Sequence, residues 1–261
     1  MPSPSPRRRD PRPAPQRSLS VWMAGRIGWE AYLRMAEQLA WEVSEPNGRP
    51  PTLVLGELAA SITVGRLGSR SDVEFTDEEL AARSLAVRFV GRGGGAVVHL
   101  PGQVFAALFV ALPDVGLARH AVGPFVERFE TGLEGAIRSL RCGTARDSRA
   151  AGVFGRSGLL AAVGIAIRRG VSWHGAFLNV SPALETVRRV RTVPGRGAGG
   201  GAMMGSVEAD LGRRVRLPDA RAALVEQIAD AFAFGAPHVH AGFPLPVRDA
   251  EPQQESSRSV G

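Results

Sequence analysis

The spacing of apolar residues alternates between helical and extended periods along the chain. From Trp29 to Val43, the residues Trp29, Tyr32, Leu33, Ala36, Leu39, Ala40 and Val43 recur at helical intervals, the stripe of an amphipathic helix. Val122 to Leu140 carries Phe125, Val126, Phe129, Leu133, Ile137 and Leu140 in the same way, and Arg221 to Phe234 predicts a closing helix. Asp77 to Leu85 predicts a short one. Thr52–Gly56, Ser61–Gly65, Ala86–Val90 and Val104–Leu112 predict strands, as do the segments 152–154, 159–167 and 175–180. Helices and strands mixed in this order, with hairpin-like spacing from 152 to 180, predict an α/β fold with a mixed, largely antiparallel sheet flanked by helices.

The two ends of the chain differ from this middle. Residues 1–18 are rich in Pro, Arg and Ser, too polar to offset the entropy of ordering, and predict a disordered tail. Residues 236–261 predict a flexible C-terminal tail, which leaves 19–235 as one folded domain. His238 and His240 lie two apart, and a polar pair in the tail is favoured over a metal site. No apolar run reaches the length of a membrane span, and no apolar stretch of a secretory signal follows the basic N-terminus. A cytoplasmic protein without a membrane partner is the expectation.

All 32 basic residues are arginine, and the formal charge is +7. Arginine stays protonated, so no basic side chain here can act as an amine nucleophile or Schiff-base partner. Arg7, Arg8, Arg9 and Arg12 account for much of the excess charge, and no basic–aromatic stripe accompanies them. Nucleic acid is therefore not the expected partner. The single cysteine, Cys142, excludes an intramolecular disulfide and a multi-cysteine metal site.

Two segments stand out. Gly91-Arg92-Gly93-Gly94-Gly95 follows a strand and lacks the Gly-Lys-Ser/Thr of a phosphate loop. Ala96-Val97-Val98-His99 then continues as extended chain, so no helix N-terminus follows the glycines. Taken alone, the run reads more readily as a turn than as a site, and His99 more readily as a structural histidine. The second segment is Arg168-Arg169-Gly170-Val171-Ser172-Trp173-His174-Gly175-Ala176-Phe177-Leu178-Asn179-Val180.

Together, Arg92 to Gln103 and Arg168 to Val180 resemble the two main motifs of the lipoyl(octanoyl) transferases, also called lipoate–protein ligase B, in that family's order and at about its spacing. Ile62-Thr63-Val64-Gly65-Arg66 is similar to a further family segment, whereas Leu58-Ala59-Ala60-Ser61 departs from the family pattern before it. The resemblance implies the biotin/lipoate transferase and ligase fold. It implies an acyl pocket built from Arg92, Gly93, Gly94, Gly95, Ala96, Val97, Val98 and His99, with Ala162, Val163, Gly164, Gly175, Ala176 and Phe177. It implies octanoyl-acyl carrier protein as donor, with lipoyl domains of 2-oxoacid dehydrogenases or the glycine cleavage protein as acceptors. No cofactor or metal is implied.

In the family a cysteine takes the acyl group from the thioester, and a nearby lysine lowers the cysteine pKa and moves protons. By alignment, Leu159 stands at the lysine position and Val193 at the cysteine position. No cysteine follows Cys142, which reads as a small hydrophobe near a helix end. Thr192 is a poor nucleophile without an obvious base. The resemblance thus implies an octanoyltransferase relative in protein lipoylation with impaired catalysis. Three alternatives stay open. One is direct transfer with His99 or His174 as general base. Another is a non-catalytic module binding acyl groups, an acyl carrier protein or a lipoyl domain. The last is nucleic-acid binding by the N-terminal tail.

Overall fold

The computed structural model describes residues 17–147, 150–193 and 203–244. The expectations for residues 1–16 and 245–261 lie outside them.

Ten strands and six α-helices are formed among the described residues. In chain order they are β1 (Ser20–Ile27), α1 (Trp29–Ser44), β2 (Thr52–Leu58), β3 (Ser61–Val64), α2 (Asp77–Ala82), β4 (Val87–Phe89), β5 (Ala96–His99) and β6 (Gln103–Phe109). There follow α3 (Val122–Ser139), β7 (Gly152–Gly155), β8 (Gly158–Arg168), β9 (Val171–Asn179), α4 (Leu184–Val187), α5 (Val207–Leu211), α6 (Leu217–Ala231) and β10 (His238–Ala241).

Seven strands make one sheet in the order β10-β1-β2-β6-β9-β8-β7. β1 runs parallel to both β10 and β2, and every other pair is antiparallel. A second sheet, β4-β3-β5, pairs β3 parallel to β4 and antiparallel to β5. The α/β class with a largely antiparallel sheet, expected from the sequence, is the observed one. β10 falls inside the segment read as a flexible tail. Its ladder to β1, together with the stacking of His240 on Trp22 at 4.6 Å, orders it.

Alternation along the strands sends side chains to two different cores. On one face Leu53, Leu55, Val104, Ala106 and Leu108 pack against Phe125, Phe129 and Leu133 of α3 and Leu224 and Ile228 of α6. On the other face Val54, Phe105, Ala107 and Phe109 meet the buried stripe of α1, including Trp29, Tyr32, Met35 and Leu39. The small sheet closes a third cluster. There Ile62, Val64, Ala96 and Val98 pack with Leu159, Ala162, Val190, Val193 and Met204.

Local chemistry fixes the elements. Thr76 and Glu79 form a reciprocal capping box that starts α2, with Thr76 N–H donating to Glu79 Oε2 at 2.9 Å and Glu79 N–H to Thr76 Oγ1 at 3.2 Å. Pro218 stands in the first turn of α6, where its missing N–H leaves no intrahelical bond unmade. A register shift between Met23 and Arg26, with Gly25 at φ 65°, breaks the regular alternation of β1.

Candidate functional site

A cavity of about 260 Å³ opens between the glycine loop, the β8 strand and the residues Thr192 and Val193. Its lining includes Arg92, Gly94, Gly95, Val97, Ala162, Val163, Gly164 and Phe177 from the expected pocket. Leu67, Ala150, Ala151 and Thr192 join them without having been foreseen as pocket residues. Leu159 and Val193, far apart in sequence, line the same space.

Six expected residues do not line it, and each has a structural reason. Gly93 is held against β8 by its N–H, which donates to the Ile165 carbonyl at 2.9 Å. Ala96 and Val98 alternate away from Val97 into the third core cluster, and Ala176 turns into the core under α3 and α6. Gly175 serves the sheet. A Cβ there would sit 1.8 Å from the Ala106 carbonyl oxygen, so only glycine allows β9 and β6 to approach this closely. His99 stands behind Phe177, its ring 4.5 Å from the phenyl ring, and is 1% exposed.

Arg92 is the unusual member of the lining. It is 1% exposed and forms no ion pair with a described carboxylate. Its Nη2 donates to the Thr63 carbonyl and hydroxyl, each at 2.9 Å, and its Nη1 to the Gly93 carbonyl at 2.9 Å. Its Nε is buried without a partner. Burial lowers its pKa to about 10, which still leaves it charged at neutral pH. The space it fills depends on Gly164, where a Cβ would come within 3.0 Å of Arg92 Cδ and of the Gly93 carbonyl oxygen.

Behind this wall lies a polar and aromatic cluster. Thr63 Oγ1 is 2.8 Å from His99 Nε2, and Tyr32 Oη is 3.2 Å from His174 Nδ1. Trp29 stacks on both imidazoles, at 5.9 and 6.3 Å. Burial, then the Arg92 charge, holds His99 well below the usual histidine range. Burial, with Arg92, Arg168 and Arg66, brings His174 to about 3. Both rings are therefore neutral at physiological pH, and both are weak bases. The α1 stripe that marks a core face in the sequence is the same stripe that positions them. Only the aromatic character of Trp29 and Tyr32 signals that second task.

Cys142 is remote in kind as well as place. It is 3% exposed, contributes nothing to the cavity lining, and lies 3.7 Å from Asp210 Oδ2. Burial and the Asp210 carboxylate raise its thiol to about 11, so the reactive thiolate is scarce at neutral pH. Among the described residues no cluster of His, Cys, Asp or Glu could hold a metal ion. No described helix is long and apolar enough to cross a membrane.

A sheet carrying helices on both faces, with a glycine loop lining a cavity beside β8, defines a class that the family comparison makes explicit. The family model described as "Lipoyl protein ligase A/B catalytic domain" matches residues 30–229, and the chain belongs to that family. Among its relatives, an octanoyltransferase of Geobacter sp. (strain M21) is 36% identical over 166 residues, covering 64% of this chain and 76% of the relative. An octanoyltransferase of Chloroflexus aurantiacus is 33% identical over 231 residues, covering 83% and 95%. The fold is also that of a lipoate-protein ligase A solved with ATP bound, at 14% identity and a TM-score of 0.65, covering 85% of this chain and 89% of that one.

Proposed function

We propose that this chain is an octanoyltransferase relative that retains a medium-chain acyl pocket but cannot run the cysteine–lysine transfer. One observation carries the reading. Leu159 and Val193, which stand at the positions of the family's lysine and cysteine, line one cavity together with the glycine loop. The substitutions thus fall where the acyl group would sit. Leucine can neither lower a thiol pKa nor carry a proton, and valine supplies no nucleophile. At about 260 Å³ the cavity is smaller than the roughly 300–1,000 Å³ typical of drug-sized ligands, a size suited to one unbranched acyl chain.

Direct transfer without an acyl-enzyme gains no support from the two histidines. Neither lines the cavity, and both are depressed far below the pH at which a general base works best. The donor under this reading is an octanoyl thioester on an acyl carrier protein, and the partner domain is a lipoyl domain, bound without efficient acylation. The place of action is the cytoplasm.

The test is intact-mass spectrometry of a lipoyl-domain acceptor incubated with octanoyl-loaded acyl carrier protein and the purified chain. The acceptor is expected to stay unmodified beyond a control without the chain, while an octanoyl thioester still binds in a calorimetric titration. An acceptor that gains an octanoyl mass in proportion to added chain overturns the loss of transfer. Absence of thioester binding overturns the retained pocket.

A further inference from the structure

The cavity between the glycine loop and β8 is open at one end and closed at the other. Leu67, 68% exposed, and Ala151, also exposed, stand where it meets solvent. Val97, Ala162 and Phe177 stand where it is sealed, and Phe177 is 5% exposed. Much of the lining is backbone or short side chains, among them Gly94, Gly95 and Gly164. Among the described residues, Phe177 is the only aromatic side chain in that lining.

The phenyl ring is held in place from the sides and from behind. On β9, Phe177 pairs across the sheet with Phe105 of β6 and Ala162 of β8, so the three side chains share one face. Ala162 contributes only a methyl group, and the phenyl ring is the bulk that closes this end. Directly behind it stands His99, with the ring centres 4.5 Å apart and the planes 56° from each other. His99 is fixed in turn. Thr63 Oγ1 is 2.8 Å from its Nε2, and Trp29 stacks on it at 5.9 Å. A group pressed against the cavity side of Phe177 therefore meets a packed partition, and moving that partition strains the core.

We propose that Phe177 sets the length of acyl chain that this cavity accepts, the chain entering past Leu67 and its terminal methyl group stopping against the phenyl ring. The proposal rests on the acyl-cavity reading above and assigns its length specificity to one side chain. A methylene group takes up about as much space as a water molecule, roughly 30 Å³. A cavity of about 260 Å³ then holds about eight carbons. Each methylene buried while room remains strengthens binding about fourfold. Beyond that length the gain becomes a loss, because the chain must displace the ring and its backing. Truncation of Phe177 to alanine leaves a void in front of His99 with room for roughly three more methylene groups.

The experiment is a calorimetric titration of the full chain, Phe177→Leu and Phe177→Ala with straight-chain acyl-pantetheine thioesters, from butanoyl to dodecanoyl. Wild-type affinity is expected to rise up to octanoyl and to fall about tenfold or more at decanoyl. Phe177→Ala should move the optimum to decanoyl or dodecanoyl. Phe177→Leu should bind decanoyl more tightly than wild type does, with a smaller gain at dodecanoyl than Phe177→Ala. Melting temperatures establish that the variants are folded. Phe177→Leu keeps most of the apolar bulk and carries the test if Phe177→Ala does not fold. A purely structural role for Phe177 would weaken binding of every chain length alike and leave the optimum in place. Folded variants that keep the wild-type optimum therefore overturn the proposal and leave the acyl cavity standing. A wild-type affinity that keeps rising through dodecanoyl does the same, since the cavity then has no closed end at Phe177. If wild type binds no thioester of the series, the acyl-cavity reading itself fails, and the proposal with it.

Discussion

The glycine-loop wall of the cavity holds a buried cation, whereas the wall at Leu159 and Val193 is apolar and continuous with the third core cluster. The first wall is expensive to build. Arg92 is desolvated without a counter-charge, held by two Thr63 oxygens and one carbonyl, and accommodated by Gly164. The second has taken the inexpensive course. Leu159 is 1% exposed among Ala162, Val190 and Met204, where an ammonium would need its own partners. Replacing buried ionic groups by well-packed apolar ones is often neutral or stabilising. Under the proposed reading, loss of the reactive pair and survival of the binding wall are energetically compatible. The first removes a desolvated charge, whereas losing Arg92 would strand the acceptors it satisfies.

Perturbing the frame shared by both walls should have the largest effect. Gly175→Ala forces a methyl group onto the Ala106 carbonyl and is expected to destabilise the chain by about 4 kcal/mol or more, measured by urea denaturation. Arg92→Met isolates the polar wall. It leaves the Thr63 and Gly93 oxygens without their donor and is expected to cost about 3 kcal/mol, with weakened thioester binding. Leu159→Lys tests the apolar wall by introducing a buried amine, at an expected cost of about 2 kcal/mol that shrinks as pH rises and the lysine is neutralised. If Leu159→Lys were neutral in stability and Arg92→Met were too, the contrast between the walls would collapse.

The smallest effect concerns the histidines behind Phe177. Both are neutral when folded and protonate near pH 6.5 when unfolded. Below that pH the unfolded chain binds more protons than the folded one. Stability should therefore be fully present above about pH 6.5 and decline as pH falls toward about 3, where folded His174 itself protonates. The urea midpoint of wild type should drop between pH 7 and 5, and that of His174→Phe should drop less. Equal slopes would remove His174 from the polar cluster.

Periodicity revealed the elements with a clear inside and outside. α1, α3 and α6 carry apolar stripes, and β2, β6 and β8 carry dense apolar runs. It did not reveal β1, whose alternation is broken by the register shift at Met23/Arg26. Nor did it reveal β10, whose four residues are all exposed and owe their order to backbone pairing with β1. β9 starts earlier than predicted, at Val171, because Ser172 and His174 are polar residues buried by specific bonds, to the Leu108 carbonyl and the Tyr32 hydroxyl. Within the site, the convergence of Leu159 and Val193 was legible only through the family resemblance, since no spacing rule joins residues so far apart. The burial of Arg92 was not legible at all, because an arginine in a glycine-rich loop reads as a solvent-facing one.

The central claim is that the cavity lacks only its reactive pair. The most direct measurement is intact-mass spectrometry of wild type, Val193→Cys and Leu159→Lys/Val193→Cys, each incubated with octanoyl-loaded acyl carrier protein. The account predicts an unmodified wild type, slow acquisition of one octanoyl group by Val193→Cys, and faster acquisition by the double variant, whose ammonium favours the thiolate. A wild-type chain that itself carries or transfers octanoyl, or folded variants that both stay unmodified, would contradict it.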